Sequence, residues 1–526
     1  MASAGNRPFL SIVYVTAIKG LGSVISLLTA VGIANFFGAG TATDAYFLAR
    51  RVTSNLGIGL ERAFHLLQVP PLVQFARMHG IPALRDRLSR ASALVLLISL
   101  AVTIPAFVWA APVVGLLAPG FDQTQLPEAV FYFRILLLTV PISAVTALSG
   151  ATMNALRRFS LPVLARLAPR GAVLLALMLV PLGFGFSAIA VAVVAGTALM
   201  GLIFAIALRR VFRDPGTVVQ ADANQGQEGA FSRARIAAML IAQAHVLGAS
   251  WIDLAFASTA GDGNVAAYDF AQRLVNMTPG LVTNSVMLVY YTEFANALTD
   301  RDVEGFRRLI RDSLRLSLFF VLPICVGLAL LAGPLVAAVL QHGSFSAEDA
   351  KRTAGVVAVL ALLLPVNAAL GSIVSAIFAD SRLPHLRMIL VSTGLAIAAR
   401  VLFDWWAVPR YGLIGVPVGV LLAMTLLFLS LYFWLSSHLG ALLHRDEVAP
   451  FLGLAAAGLG CGAVVWLLRE ALIHAGSGRF ALLSAMALTA VAGALTFLLI
   501  AGLCGLPEAR QMTRRLLRPL SRGKRP

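Results

Sequence analysis

Apolar runs long enough to cross a bilayer recur from Phe9 to Leu506, and no other feature restricts the fold of this chain as tightly. A hydrocarbon core about 30 Å thick takes about 20 apolar residues per helix. No water inside it satisfies backbone amides, so only helices or a closed barrel can cross. The runs are continuous rather than alternating, which selects helices. Only 12% of the residues are charged, against about a quarter in soluble domains. The expected fold is an all-α polytopic membrane protein of about fourteen transmembrane helices. The expected spans are 9–37, 44–75, 91–117, 131–156, 162–182, 186–208, 236–260, 266–297, 314–340, 354–379, 386–408, 413–437, 449–468 and 480–506.

Arginines gather on alternate connections. Arg77, Arg85, Arg87 and Arg90 follow the second span, Arg157 and Arg158 the fourth, and Arg301, Arg307, Arg308 and Arg311 the eighth. The intervening loops 38–43, 118–128 and 261–264 hold no basic residue. Positive-inside topology therefore places both termini in the cytoplasm, and it accounts for the net charge of +17 without a nucleic-acid partner. The basic tail 509–526 suits anionic membrane lipid, or alternatively a cytoplasmic partner. Cys325, Cys461 and Cys504 sit in apolar runs with no CxxC spacing, so neither a disulfide framework nor a metal site is expected. The segment after Phe9 is too long for a signal-peptide core and reads as a retained helix.

The polar connection 209–235 divides the chain into a six-helix lobe, 1–208, and a second six-helix lobe, 236–437. Two further helices occupy 438–508. Paired lobes of this kind suggest a transporter with its site between halves.

The second span carries charge where a membrane helix should carry none. Asp44, Arg51, Asn55, Arg62 and His65 fall on one helical stripe. A central arginine costs about 2.5–3.5 kcal/mol, so the stripe must face water, protein or an anion. The eighth span repeats the pattern with Asp269, Arg273 and Asn276, followed by Pro279 and Gly280, which can break the helix. Lys19 adds a cation to the polar face of the first span. Two readings stand: a cationic chamber built by Lys19, Arg51, Arg62 and Arg273 and oriented by Asp44, Asn55, Asp269 and Asn276, or ion pairing between helices. A chamber of arginines favours a phosphorylated anion, held by bidentate forks. Asp253, Arg400 and Asp404 form a second group, read either as an ion-coupling site for sodium or a proton, or as a local Arg400–Asp404 pair. His245 would join a proton relay or a hydrogen-bonded core. No other cofactor is expected.

Four segments resemble the MurJ/MviN lipid II flippases of the multidrug/oligosaccharidyl-lipid/polysaccharide exporter superfamily. They are Phe37-Gly-Ala-Gly-Thr-Ala-Thr-Asp-Ala-Tyr-Phe47, Arg158-Phe-Ser-Leu-Pro162, Tyr268-Asp-Phe-Ala-Gln-Arg273, and Gly333-Pro-Leu followed by Gln341-His-Gly-Ser-Phe345. The resemblance implies alternating-access flipping of an undecaprenyl-diphosphate-linked glycan lipid, with Asp44 and Arg273 at charged cavity positions and Arg51 at a basic position in the first turns of the second helix. It also implies sodium-binding acids in the seventh and eleventh helices, where Asp253 and Asp404 are the counterparts. The chain departs from the family where first-helix arginines belong: the aligned positions fall near Ser23 and Thr29, leaving Lys19 as the cation. The second-helix arginine pair falls near Leu56 and Gly57, with Arg62 one or two turns later. Either Lys19 and Arg62 reach the same chamber, or a different head group binds, such as an exopolysaccharide or O-antigen repeat unit. A multidrug antiporter would favour acids over arginines. A glycan-processing enzyme would require carboxylates on an extramembrane platform, which these short loops do not offer. Cell-wall or polysaccharide synthesis machinery is a candidate partner.

Overall fold

The computed structural model describes residues 6–156, 158, 160–213, 248–277, 280–380, 385–443, 447–473, 478–510 and 512. These residues are helical with short connections, and ten stretches among them are long and apolar enough to cross a membrane. The stretch Arg387–Leu439 holds two helices, so the ten account for eleven of the expected spans. The second and eighth spans are helical too, without that apolarity, and only residues 248–259 of the seventh are described as helix. The chain is a membrane protein.

The helices gather into two compact units, one comprising Met1–Ala266 with Gly343–Phe345, the other Ala267–His342 with Ser346–Pro526. The division therefore falls at Ala266, beyond the anticipated linker. Of that linker, residues 209–213 are helical, and 214–235 lie outside the described residues.

In the first unit α1 is Asn6–Phe37, α2 Thr41–Val108, α3 Ala110–Leu117, α4 Gln125–Leu137 and α5 Thr139–Ala155. Then come α6 (Ser160–Ala165), α7 (Leu167–Leu177), α8 (Phe186–Arg213) and α9 (248–259). The sequence placed a basic loop between the second and third spans; instead Arg77, Arg85, Arg87 and Arg90 lie within α2, which bends once at Gly80. Gly80 has φ 76° and ψ 178°, a conformation that a Cβ disfavours, so one glycine replaces the loop. Leu72, Leu84 and Leu88 of α2 pack on Leu148 and Met153 of α5 and on Phe204 and Leu208 of α8. Nearer the start of α2, Tyr46 stacks on Phe186 at 5.2 Å and meets Tyr132 edge-on.

Two of the family-like segments meet in this unit. The Ser344 amide donates to the Asn35 carbonyl at 2.9 Å and the Ser344 hydroxyl to the Phe36 carbonyl at 3.1 Å. Gly38 and Gly343 both take positive φ, 65° and 57°. A Cβ at Gly38 would strike the Ser344 carbonyl, and one at Gly343 the Asn35 carbonyl.

The second unit holds most of α10 (Asn264–Asn276), then α11 (Gly280–Thr299), α12 (Val303–Leu330), α13 (Ala332–Leu340) and α14 (Ala347–Ala379). It ends with α15 (His385–Tyr411), α16 (Gly415–Leu439), α17 (Val448–Leu472) and α18 (Arg479–Leu503). The eighth span is described as two helices, one ending at Asn276 and the next beginning at Gly280, and Pro279, expected to break it, lies outside the described residues. Asp302 caps α12 by accepting the Gly305 amide at 2.7 Å, and Ser346 with Asp349 forms a capping box on α14. Phe306, Ile310 and Leu314 of α12 pack with Ile373 and Ile377 of α14 and with Leu427 and Leu431 of α16. Phe319 of α12 packs with Leu454 and Cys461 of α17 and Phe497 of α18. Ion pairs reinforce that attachment: Arg311 with Glu447 at 2.8 Å, and Arg315 with Glu508.

Candidate polar seams within the membrane

The stripe on α2 exists because Asp44, Arg51 and Asn55 recur at helical spacing, and within the first unit it lies along the segment 248–266. The Arg51 guanidinium donates from Nε to the Ser250 hydroxyl at 2.9 Å and from Nη2 to the Asp253 carboxylate at 3.1 Å. Asn55 donates its amide to the same Ser250 hydroxyl at 2.7 Å. Both members of the ion pair are buried, at 10% and 8% side-chain exposure. Asp253, read from the sequence as part of a coupling site with Asp404, is thus an ion-pair partner of Arg51. Burial explains it: a membrane-embedded carboxylate lowers its cost by taking the nearest cation.

Asp44 serves as a helix cap. One carboxylate oxygen accepts the Gly263 amide and the other the Ala266 amide, each at 2.7 Å. Those amides begin α10 and have no intrahelical acceptor, so a buried carboxylate there satisfies them. The sequence anticipated only that Asp44 would orient cations. Gln125 ties the same turn to α4, donating to Asp262 at 2.7 Å.

In the second unit Arg273 pairs with Asp269 one turn before it, as their spacing predicted. Asn276, expected on the same stripe, is exposed at the end of α10. Arg400 and Asp404 also pair at 3.2 Å, at 3% and 0% side-chain exposure. Gly419 of α16 makes room for that carboxylate, since a Cβ there would collide with Asp404 Oδ1. Lys19 and Arg62 sit on α1 and α2, but their side chains, with that of His65, lie outside the described residues, as does His245.

A resident sodium ion suits these acids poorly. Asp253 and Asp404 each hold a guanidinium where a cation ligated by oxygens would sit. Among the described residues, no group of three His, Cys, Asp or Glu side chains is placed to hold a metal.

Sequence reading passed over the fifth span, where α7 and its N-cap carry Arg166 and Arg170 one turn apart. A Cβ at Gly22 of α1 would collide with Arg170 Nη1, so that guanidinium rests on α1 itself. Arg50 of α2 donates to the Tyr46 hydroxyl at 2.9 Å. Two arginines at i,i+4 within an apolar run were the available signal.

A sequence model described as "Lipid II flippase MurJ" matches residues 33–486. A lipid II flippase MurJ of Burkholderia cenocepacia is 26% identical over 442 residues, covering 80% of this chain and 83% of that protein. Among solved structures, a lipid II flippase MurJ in an inward closed conformation superposes with a TM-score of 0.74 at 18% identity, covering 92% of this chain and 98% of that one. An inward-facing multidrug resistance MATE family transporter of the MOP superfamily gives 0.60 at 15% identity, over 80% and 95% of the two chains. At such identities the two solved structures speak for the fold alone. The sequence match along most of the length does more: this chain belongs to the lipid II flippase MurJ family.

Proposed function

We propose that this protein flips lipid II, the undecaprenyl-diphosphate-linked peptidoglycan precursor, across the bacterial inner membrane from the cytoplasmic to the periplasmic leaflet by alternating access. The family match over residues 33–486 carries the reading. The chemistry agrees with it, because both charged spans bring arginine forks into the membrane and such forks suit a diphosphate. Both termini face the cytoplasm in this reading, following the arginine-rich alternate connections. Arg51 is held by Asp253 in the described state, and a diphosphate would compete for the same fork. Arg273 is held by Asp269 in the same manner, with Lys19 and Arg62 completing the cation set.

The export direction runs with the membrane potential, which favours outward anion movement by about 2.3 kcal/mol per charge per 100 mV. The potential is therefore the proposed energy source. Sodium or proton coupling through Asp253 and Asp404 would first have to displace a guanidinium.

Complementation is the test. Bacteria depleted of their own lipid II flippase should survive on this chain and die on its Arg273→Ala variant. Failure of the wild-type chain to rescue, with the protein folded in the membrane, would move the cargo to a lipid-linked exopolysaccharide or O-antigen unit.

A further inference from the structure

Exposed arginines gather at one end of the first unit, on two elements that pack together. Arg85, Arg87 and Arg90 lie on α2 just past its bend, and Arg209, Arg210 and Arg213 at the end of α8. Leu84 and Leu88 of α2 join Leu208 and Val211 of α8 in one buried cluster beneath them. Among the described residues none of these arginines has a carboxylate partner. Asp86, also exposed, offsets one of the charges.

The bend at Gly80 sets the geometry. A straight helix would carry residue 87 about 18 Å beyond residue 75. Instead the Arg87 guanidinium lies over the Phe75 ring at 4.3 Å, and His79 stacks on the same ring at 4.4 Å. Phe75 packs against the buried cluster, so its ring fixes a guanidinium and an imidazole at the surface. Next to the arginines, towards the middle of both spans, the two helices turn apolar and stay exposed: Leu94 and Leu97 on α2, Leu199 and Leu202 on α8. Cations bordering an exposed apolar face match a diacyl phospholipid, whose phosphate reaches the arginines while its acyl chains lie along the leucines. A soluble acidic protein would meet the charges and leave the apolar face uncovered.

We propose that this end of the first unit is a docking surface for anionic phospholipid of the cytoplasmic leaflet, held through its phosphate oxygens by Arg85, Arg87 and Arg90. The proposal goes beyond the flippase reading and takes from it only the topology that puts these residues on the cytoplasmic side. The negative surface potential of that leaflet works in the same direction. A docked lipid fixes the bend of α2 at headgroup depth and supplies the arginines with counter-charge.

Photo-crosslinking in vesicles tests this. Benzoylphenylalanine replaces Leu94 in the full-length protein, which is reconstituted into equal parts of phosphatidylglycerol and phosphatidylcholine, and the captured lipid is identified by mass spectrometry. Phosphatidylglycerol should be captured in preference by about fivefold or more, the factor that one basic residue near an anionic surface contributes. Arg85→Gln, Arg87→Gln and Arg90→Gln together should bring the ratio close to parity. The same probe at Leu495, an exposed residue of α18, should report parity throughout. Raising salt from about 0.1 M to about 1 M shortens the screening length from about 10 Å to about 3 Å. It should shrink the preference of the wild-type protein, and it decides the matter if the triple variant does not fold. Parity at Leu94 in the wild-type protein overturns the proposal, and so does a preference unmoved by the triple substitution or by salt. Displacement of the phosphatidylglycerol by a trace of undecaprenyl diphosphate also overturns it, assigning the surface to the cargo. Complementation reads the flippase function separately: rescue with parity at Leu94 leaves that reading standing, and docking without rescue leaves this surface standing.

Discussion

Arg51 and Asp253 lie 202 positions apart in sequence and meet at 3.1 Å in a place where neither could remain alone. Removing one partner of such a pair strands a buried charge, at a cost of up to about 3–5 kcal/mol. Asp253→Asn should therefore lower the unfolding temperature of the purified protein, and Arg51→Met combined with Asp253→Leu should recover most of the loss. An Asp253→Asn protein as stable as wild type would remove the pair from any structural account. Gly419 poses the converse problem. A methyl group at that position enters the space of Asp404 Oδ1, so Gly419→Ala should destabilise by about 1–3 kcal/mol through overpacking, read by thermal unfolding. These residues show what was legible. The stripe of α2 could be read because helical spacing fixes which side chains share a face. Its partner Ser250 could not, because nothing in the local sequence says which helix lies opposite.

Among elements, α2 departs most from expectation, since its 68 residues form two spans joined through one glycine. Any L-residue at the Gly80 position meets a backbone cost of about 1–2 kcal/mol. Gly80→Ala should lower stability by that amount and, by straightening the bend, reduce transport in the complementation assay. The loop before α4 behaves differently because it lies outside the candidate spans. Asp122 accepts the amides of Gln125 and Thr124 and the Thr124 hydroxyl, and the Gln125 amide above all holds its carboxyl below the usual carboxylate range. A depressed carboxylate pKa stabilises the fold above the unfolded value and loses that contribution as pH falls through the folded one. Asp122→Asn should thus remove a small part of the acid sensitivity below about pH 4, seen as a shallower decline of unfolding temperature with pH. Helix identity was legible along the chain from apolar runs alone. The charged connection before the third span was misread as a loop because arginines mark the membrane edge without specifying whether the helix stops there.

For the whole molecule, the proposed drive by the membrane potential makes a direct prediction. Collapsing the potential with an ionophore, at fixed pH and sodium, should reduce flipping in proportion to the charge moved. Flipping that instead follows the sodium or proton gradient with the potential clamped would return Asp253 and Asp404 to an ion-coupling role.

By itself the sequence determined that the chain is helical, that it lives in a membrane, which faces of its spans are polar and which family it belongs to. Each of these follows from local composition, from the 3.6-residue period, or from short motifs that survive divergence. Only the tertiary structure decided that Arg51 is bound to Asp253, that Asp44 caps α10, and that Arg170 rests on Gly22. Pairings of this kind join residues far apart in the chain, and in a medium without water each buried charge takes whatever partner the packing of helices brings within reach.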